Sequence, residues 1–204
     1  MDAIKNNKMY HYYMFNKPVG CVTARTDDRH TTVMDYFREL QNDRLSPVGR
    51  LDLETEGLLI ITDDGKWNQL MTHPDNKKEK CYEFFTLNEI TEEKRQQLEQ
   101  GVYVIGSEKI TAPAKVEVCG MTTVGEVLPM LPELLREKYC HNRPEHPVTK
   151  GKITITEGRK RQIRRMMKAV GCLVIYLKRI SMGGYVLDEA LQPGEWKEIE
   201  VMAE

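Results

Sequence analysis

The chain has 204 residues, 30 of them basic and 31 acidic, for a formal charge of −1, with 40% hydrophobic and 30% charged residues. That length supports one domain with a sizeable core, and the charge balance excludes a histone-like or tail-driven nucleic-acid binder. No apolar run approaches the ~18 residues that span a bilayer; the polar N-terminus and five cysteines without a C-x-x-C pair give the expectation of reduced thiols in a cytoplasmic protein.

In chain order, residues 10–15 are aromatic-rich and read as a strand ended by Asn16-Lys17-Pro18, which residues 20–23 resume before a polar loop. Residues 32–40 space Val33, Met34, Phe37 and Leu40 as a short helix does. The apolar run 58–62 is a strand that stops at Asp63-Asp64-Gly65, and a helical turn or two follows from Trp67 to His73-Pro74. Residues 81–87 form a strand. Thr91 then caps a helix that ends at Gly101. Short strands are expected at 102–105 and 114–118. Residues 119–151, with Pro129, Pro132, Pro144 and Pro147, read as a surface excursion holding one helix within 128–139. A strand at 152–156, a helix at 159–170 with Met166, Met167 and Val170 inward, and strands at 173–181 and 196–201 complete the chain. Trp67 and Trp196 read as core anchors. Strands and long helices do not alternate regularly, so the expected fold is α+β, a mostly antiparallel or mixed sheet flanked by helices, rather than a doubly wound parallel one.

Charge is segregated. Eight basic residues lie between Lys150 and Lys168 against only Glu157, while the last residues are acidic. Glu157-Gly158-Arg159-Lys160-Arg161-Gln162-Ile163-Arg164-Arg165-Met166 bends from strand to helix and opens that helix with cations, a natural phosphate site where arginine gives bidentate contacts. A solvated basic face is the bland alternative. Ahead of the strand at 58–62, Asp52, Glu54 and Glu56 alternate. An extended backbone would put them on one face with Arg50, whose charge keeps Asp52 ionised. A carboxylate held at a strand mouth can act as nucleophile or base. Paired carboxylates also fit a glycosidase-type hydrolase, and an acidic turn is the plain reading. Cys140-His141 with His146 is only a fragment of a metal site, and no P-loop, dinucleotide fingerprint or Gly-x-Ser-x-Gly elbow is present.

Five segments in register resemble the RsuA-type RNA pseudouridine synthases: Phe15-Asn16-Lys17-Pro18; Gly49-Arg50-Leu51-Asp52 with Thr55, Gly57, Leu58-Leu59 and Asp64-Gly65; Thr72-His73-Pro74 with Lys80-Cys81-Tyr82; the Glu157–Met166 run; and Gly194-Glu195-Trp196-Lys197. The resemblance implies that a uridine is detached at its glycosidic bond, rotated and rejoined through C5, without cofactor or metal. It makes Asp52 the essential carboxylate and Arg164 its ion-pair partner. Tyr82 would stack on the base and assist proton transfer, and Ile163 would pack against it. Arg50 would fill the space of the flipped uridine. Lys17, Lys80, Arg159 and Lys160 would be phosphate contacts. Residues 10–204 would be the catalytic domain, behind a short tail at 1–9 and with no S4 RNA-binding domain. The missing S4 module, the 119–151 excursion and the stretch Ser181–Asp188 are similar to the E-type enzyme of the large subunit. They give the expectation of action on 23S rather than 16S rRNA; by analogy with the family the chain is expected to be a monomer, and no membrane partner is expected. A 16S enzyme and a catalytically silent RNA-binding or ribosome-assembly protein are the alternatives.

Overall fold

The computed structural model describes residues 10–201; the expected tail at 1–9 lies outside the described residues. Its strands are β1 (Tyr12–Lys17), β2 (Ser46–Pro47), β3 (Glu56–Thr62), β4 (Lys80–Leu87), β5 (Lys115–Thr123), β6 (Pro147–Ile155), β7 (Leu173–Met182), β8 (Tyr185–Val186) and β9 (Trp196–Glu198). They form one nine-stranded sheet in the order β5-β6-β4-β7-β3-β1-β9, with β2 on β3 and β8 on β7. All pairings are antiparallel except β3 with β7, so the sheet is mixed. The helices are α1 (Gly65–Thr72), α2 (Glu92–Gln100), α3 (Val124–Val127), α4 (Glu133–Tyr139) and α5 (Gln162–Ala169), with 3-10 turns at Val33–Leu40, Pro74–Asn76 and Leu128–Met130. The α+β architecture matches the expectation.

β3 is buried at every residue, as its unbroken apolar run requires of a strand covered on both faces. Its period of two divides the core. Leu59 and Ile61 join the main cluster with Phe15, Phe84 and Met166, while Leu58 and Ile60 face Trp67, Met71 and Met182. Where β3 meets β7, a Cβ on Gly57 would come within 2.3 Å of the Arg179 carbonyl oxygen, and Gly57 has φ +109°. Only glycine lets the two strands approach there.

Capping sets the helix starts. The Asp64 carboxylate accepts from Lys66 N (3.0 Å) and Trp67 N (3.1 Å), so the acidic pair before Gly65 starts α1 as well as ending β3. Thr91 caps α2 through Lys94 N (3.4 Å), with Glu92 and Glu93 in the first turn.

Three expectations change. Residues 119–151, expected as a surface excursion with one helix, contain the end of β5, helices α3 and α4 and the start of β6. Val124, Val127, Leu131, Leu135 and Tyr139 pack with Leu87, Val148 and Ile175 into a third apolar cluster against the sheet. Residues 102–105 form no strand but the first limb of a loop. Helix α5 starts at Gln162, three residues late, because Arg161 adopts a left-handed φ of +52° and the Gln162 side chain accepts from Arg159 N (2.9 Å), folding 159–161 into a turn. Among the described residues, no helix is long and apolar enough to cross a membrane.

Candidate active site

The loop before β3 is fastened from three sides. Thr23 Oγ1 donates to the Leu51 carbonyl (2.8 Å) and accepts from Leu51 N (3.1 Å). Gly20 N donates to Leu53 O (2.9 Å), and Thr55 N closes a turn onto Asp52 O (3.0 Å). From below, Lys17 Nζ donates to the carbonyls of Pro18 (2.9 Å), Asp52 (3.2 Å) and Thr55 (2.9 Å). An ammonium has three donors, and all three are used here. Lys17 is completely buried. It therefore cannot touch a phosphate, contrary to the expectation, and acts instead as the internal fastener of the Asp52 loop. Burial pushes its pKa down to about 8, against the opposing pull of Cys21, Asp52 and Glu56.

The turn at 52–55 also separates the three carboxylates that simple alternation puts on one face. Asp52 faces a cavity of about 530 Å³. Glu54 turns to the basic helix. Glu56 is buried against Lys178 Nζ (3.2 Å) and Tyr176 Oη (3.3 Å). Arg50 shares the Asp52 side of the cavity and is exposed. The other walls are Lys80 and Tyr82 of β4, Leu177, Arg179 and Met182 of β7, the turn 156–161, and Ile163 and Arg164 of α5. The cavity thus brings together Arg50, Asp52, Lys80, Tyr82, Arg159, Lys160, Ile163 and Arg164; of the expected residues, only Lys17 stands outside its wall. Size and lining suit one small planar ligand, with apolar and aromatic surface inside and cations at the rim.

The expected pair of Arg164 with Asp52 does not form. Arg164 Nη1 donates to Val174 O (3.0 Å) and its Nη2 to Glu54 O (2.9 Å), and Nη1 lies 3.7 Å from the Glu54 carboxylate. Arg161 approaches the same carboxylate (3.7 Å), and Lys138 of α4 bonds it directly. Burial pushes the Glu54 carboxyl up, but Lys138, Arg164 and Arg161 outweigh it and hold it below the usual range. Burial in turn lowers the Arg164 pKa, while Glu54, Tyr139 and Asp52 act against that. Arg164 keeps a buried Nε with no partner. Sequence reasoning misses Glu54 as a partner because Lys138 and Arg164 lie 84 and 110 residues away.

Three further cations differ in role. Arg159 is expected on phosphate, but its Nε bonds Glu157 (3.0 Å), Nη1 bonds Ser107 Oγ (3.2 Å) and Lys109 O (3.1 Å), and Nη2 bonds Ile110 O (2.9 Å). Its donors are largely spent inside the protein. Lys160 is exposed at the rim. Lys80 donates to Lys78 O (2.9 Å), and burial first, then Arg179, lowers its pKa. Gln162 donates to Glu157 (2.6 Å) and so fixes the turn beneath these cations. No group of three or more His, Cys, Asp or Glu among the described residues is arranged to hold a metal.

The sequence pattern of the family described as RNA pseudouridylate synthase matches residues 11–169. An "Uncharacterized RNA pseudouridine synthase YtzG" of Bacillus subtilis (strain 168) is 38% identical over 189 residues, covering 92% of this chain and 69% of that protein. The "Ribosomal small subunit pseudouridine synthase A" of Escherichia coli (strain K12) is 33% identical over 186 residues, covering 91% and 69%. Among solved structures, a "Crystal structure of pseudouridylate synthase" superposes with a TM-score of 0.76 at 30% identity, covering 94% of this chain and 71% of that one.

Proposed function

The chain belongs to the RNA pseudouridylate synthase family, and on that premise we propose that it isomerises a uridine of small-subunit ribosomal RNA, with Asp52 as the essential carboxylate. As a pseudouridine synthase it is an isomerase. The observation that supports Asp52 is its position in the lining of the cavity it shares with Tyr82 and Ile163, on a loop stitched by Lys17 and Thr23. In the reaction the N1–C1′ bond breaks and a C5–C1′ bond forms; C5 loses a proton and N1 gains one, so the RNA mass is unchanged. Asp52 either adds to the sugar or takes a proton from it, and both routes use the ionised carboxylate.

The reacting atoms of a stacked uridine are hidden, so the base must leave the helix. Tyr82, Ile163 and Leu177 give it an apolar and aromatic seat. Arg50, exposed on the Asp52 side, fills the vacated stack, and Lys80 and Lys160 take the flanking phosphates. A glycosidase-type pair is less well supported, because Glu54 is engaged by three cations and is not on the cavity wall.

For the subunit, the named relatives argue for the small one. The likeness of residues 181–188 and 119–151 to large-subunit enzymes is the observation behind the second reading. Incubation with each rRNA transcript, followed by mapping of pseudouridine as carbodiimide-dependent reverse-transcription stops, tests both. One stop in the small-subunit RNA is expected. Release of free uracil would identify a hydrolase, and RNA binding without conversion a silent scaffold.

A further inference from the structure

We propose that the loop 102–111 is a stacking platform for unpaired nucleotides beside the flipped uridine; the inference rests on the chain acting on RNA. The loop is closed at its base by Val102 N on Thr111 Oγ1 (3.0 Å) and Thr111 N on Val102 O (3.0 Å). Gly101, at φ +96°, lies so close that a Cβ would meet the Thr111 oxygen at 2.3 Å. Val104 is buried in the main core and pins the first limb. The residues on either side of it face away: Tyr103 is 71% exposed and Ile105 86%, and Ile110 on the return limb is 44% exposed.

The loop is held to the cavity by the motif's own arginines. Arg159, which lines the cavity, donates to Ser107, Lys109 and Ile110, and Arg165 of α5 donates to the Ile105 carbonyl. Arg159, which the resemblance assigns to phosphate, instead joins Arg165 in fixing an apolar loop surface next to the cavity lining.

Packing does not require that surface, since Val102 and Val104 already anchor the loop. Exposed aromatic and aliphatic groups beside cations fit a base face and its phosphate. Lys109 and Lys160 are both exposed here, against Glu108. The platform is continuous, through Arg159, with the cavity that takes the uridine. That continuity, together with the charge, favours RNA over a protein partner.

The test uses Tyr103→Ala, Ile105→Ser and Tyr103→Phe in the full chain. Exposed positions should leave the fold intact, which thermal melting checks. One probe is naked small-subunit rRNA transcript, read as KM and kcat. The other is a fluorescein-labelled oligouridylate of about a dozen nucleotides, read by anisotropy. We expect Tyr103→Ala to raise KM and the oligonucleotide Kd by roughly five- to hundredfold, kcat to change far less, and Tyr103→Phe to restore both. Unchanged KM and Kd would overturn the platform while leaving the isomerase reading standing. If wild type converts no transcript, the functional reading fails, and the oligonucleotide still decides the platform.

Discussion

Arg164 donates to the Glu54 carbonyl at 2.9 Å and lies 3.7 Å from the Glu54 carboxylate, so its guanidinium is held at the cavity that Asp52 also lines by a neighbour two residues along the Asp52 loop. Lys138 bonds the same carboxylate and ties α4 into the arrangement. Glu54 thereby links the segment 119–151 to the candidate catalytic loop, and Glu54→Gln should loosen both. Leaving Arg164 buried and under-compensated should cost about 1–3 kcal/mol in urea unfolding. The displaced guanidinium should lower kcat by up to roughly a hundredfold. Wild-type stability and kcat in the variant would show that Glu54 is incidental.

Lys17 should make stability and turnover respond oppositely to alkali. Its folded pKa, about 8, lies below its ordinary value of 10.5. Below pH 8 both folded and unfolded chains hold the proton, and the folded chain bears the full cost of the buried charge. Between 8 and 10.5 the unfolded chain binds more protons, so stability rises with pH, by about 3 kcal/mol for this one group. The difference in unfolding free energy between wild type and Lys17→Met should grow accordingly. A neutral amine has only two donors for three carbonyls, so wild-type kcat should fall over the same range. A flat difference from pH 7 to 10 would show that Lys17 has no such part in the fold.

The two rim cations should separate by salt. Lys160→Ala should flatten the slope of log K against log salt by about 0.7, one phosphate contact on single-stranded RNA. Arg159→Ala should leave that slope alone while raising KM, because it releases the loop at Ser107, Lys109 and Ile110. Equal slope changes in both variants would return Arg159 to the phosphate contacts.

Local features of the fold and site are legible in the amino-acid sequence. β3 follows from its apolar run, α2 from Thr91 and Gly101, and the inward methionines of α5 from their spacing; the residues around the cavity stand out as motifs in register. What escapes sequence reading is the set of relations between distant residues. Lys17 continues the inward alternation of Tyr13 and Phe15, a signal that could expose its burial, but its carbonyl partners at 52 and 55 depend on tertiary packing. The partner of Arg164 is hidden for the same reason. Residues 119–151 look like a loop because Pro129 and Pro132 break the helical period into short pieces, although Val124, Val127, Leu131 and Leu135 still reach one core.

Tyr82 is buried at the junction of core and cavity, so its ring and its hydroxyl should be separable. Tyr82→Phe should keep the fold and RNA binding while slowing turnover, about 10²-fold if the hydroxyl moves a proton. Tyr82→Ala should also destabilise the chain, by about 3–5 kcal/mol. Equal turnover in Tyr82→Phe and wild type would confine Tyr82 to stacking.

The role of Asp52 is tested most directly by tritium release from rRNA labelled at C5 of uridine, with wild type and Asp52→Asn side by side on small- and large-subunit transcripts. Wild type should release tritium from the small-subunit RNA and Asp52→Asn none, while both bind the RNA. Release by Asp52→Asn at the wild-type rate would contradict this mechanism, because the isomerisation would then proceed without the carboxylate on which the site is centred.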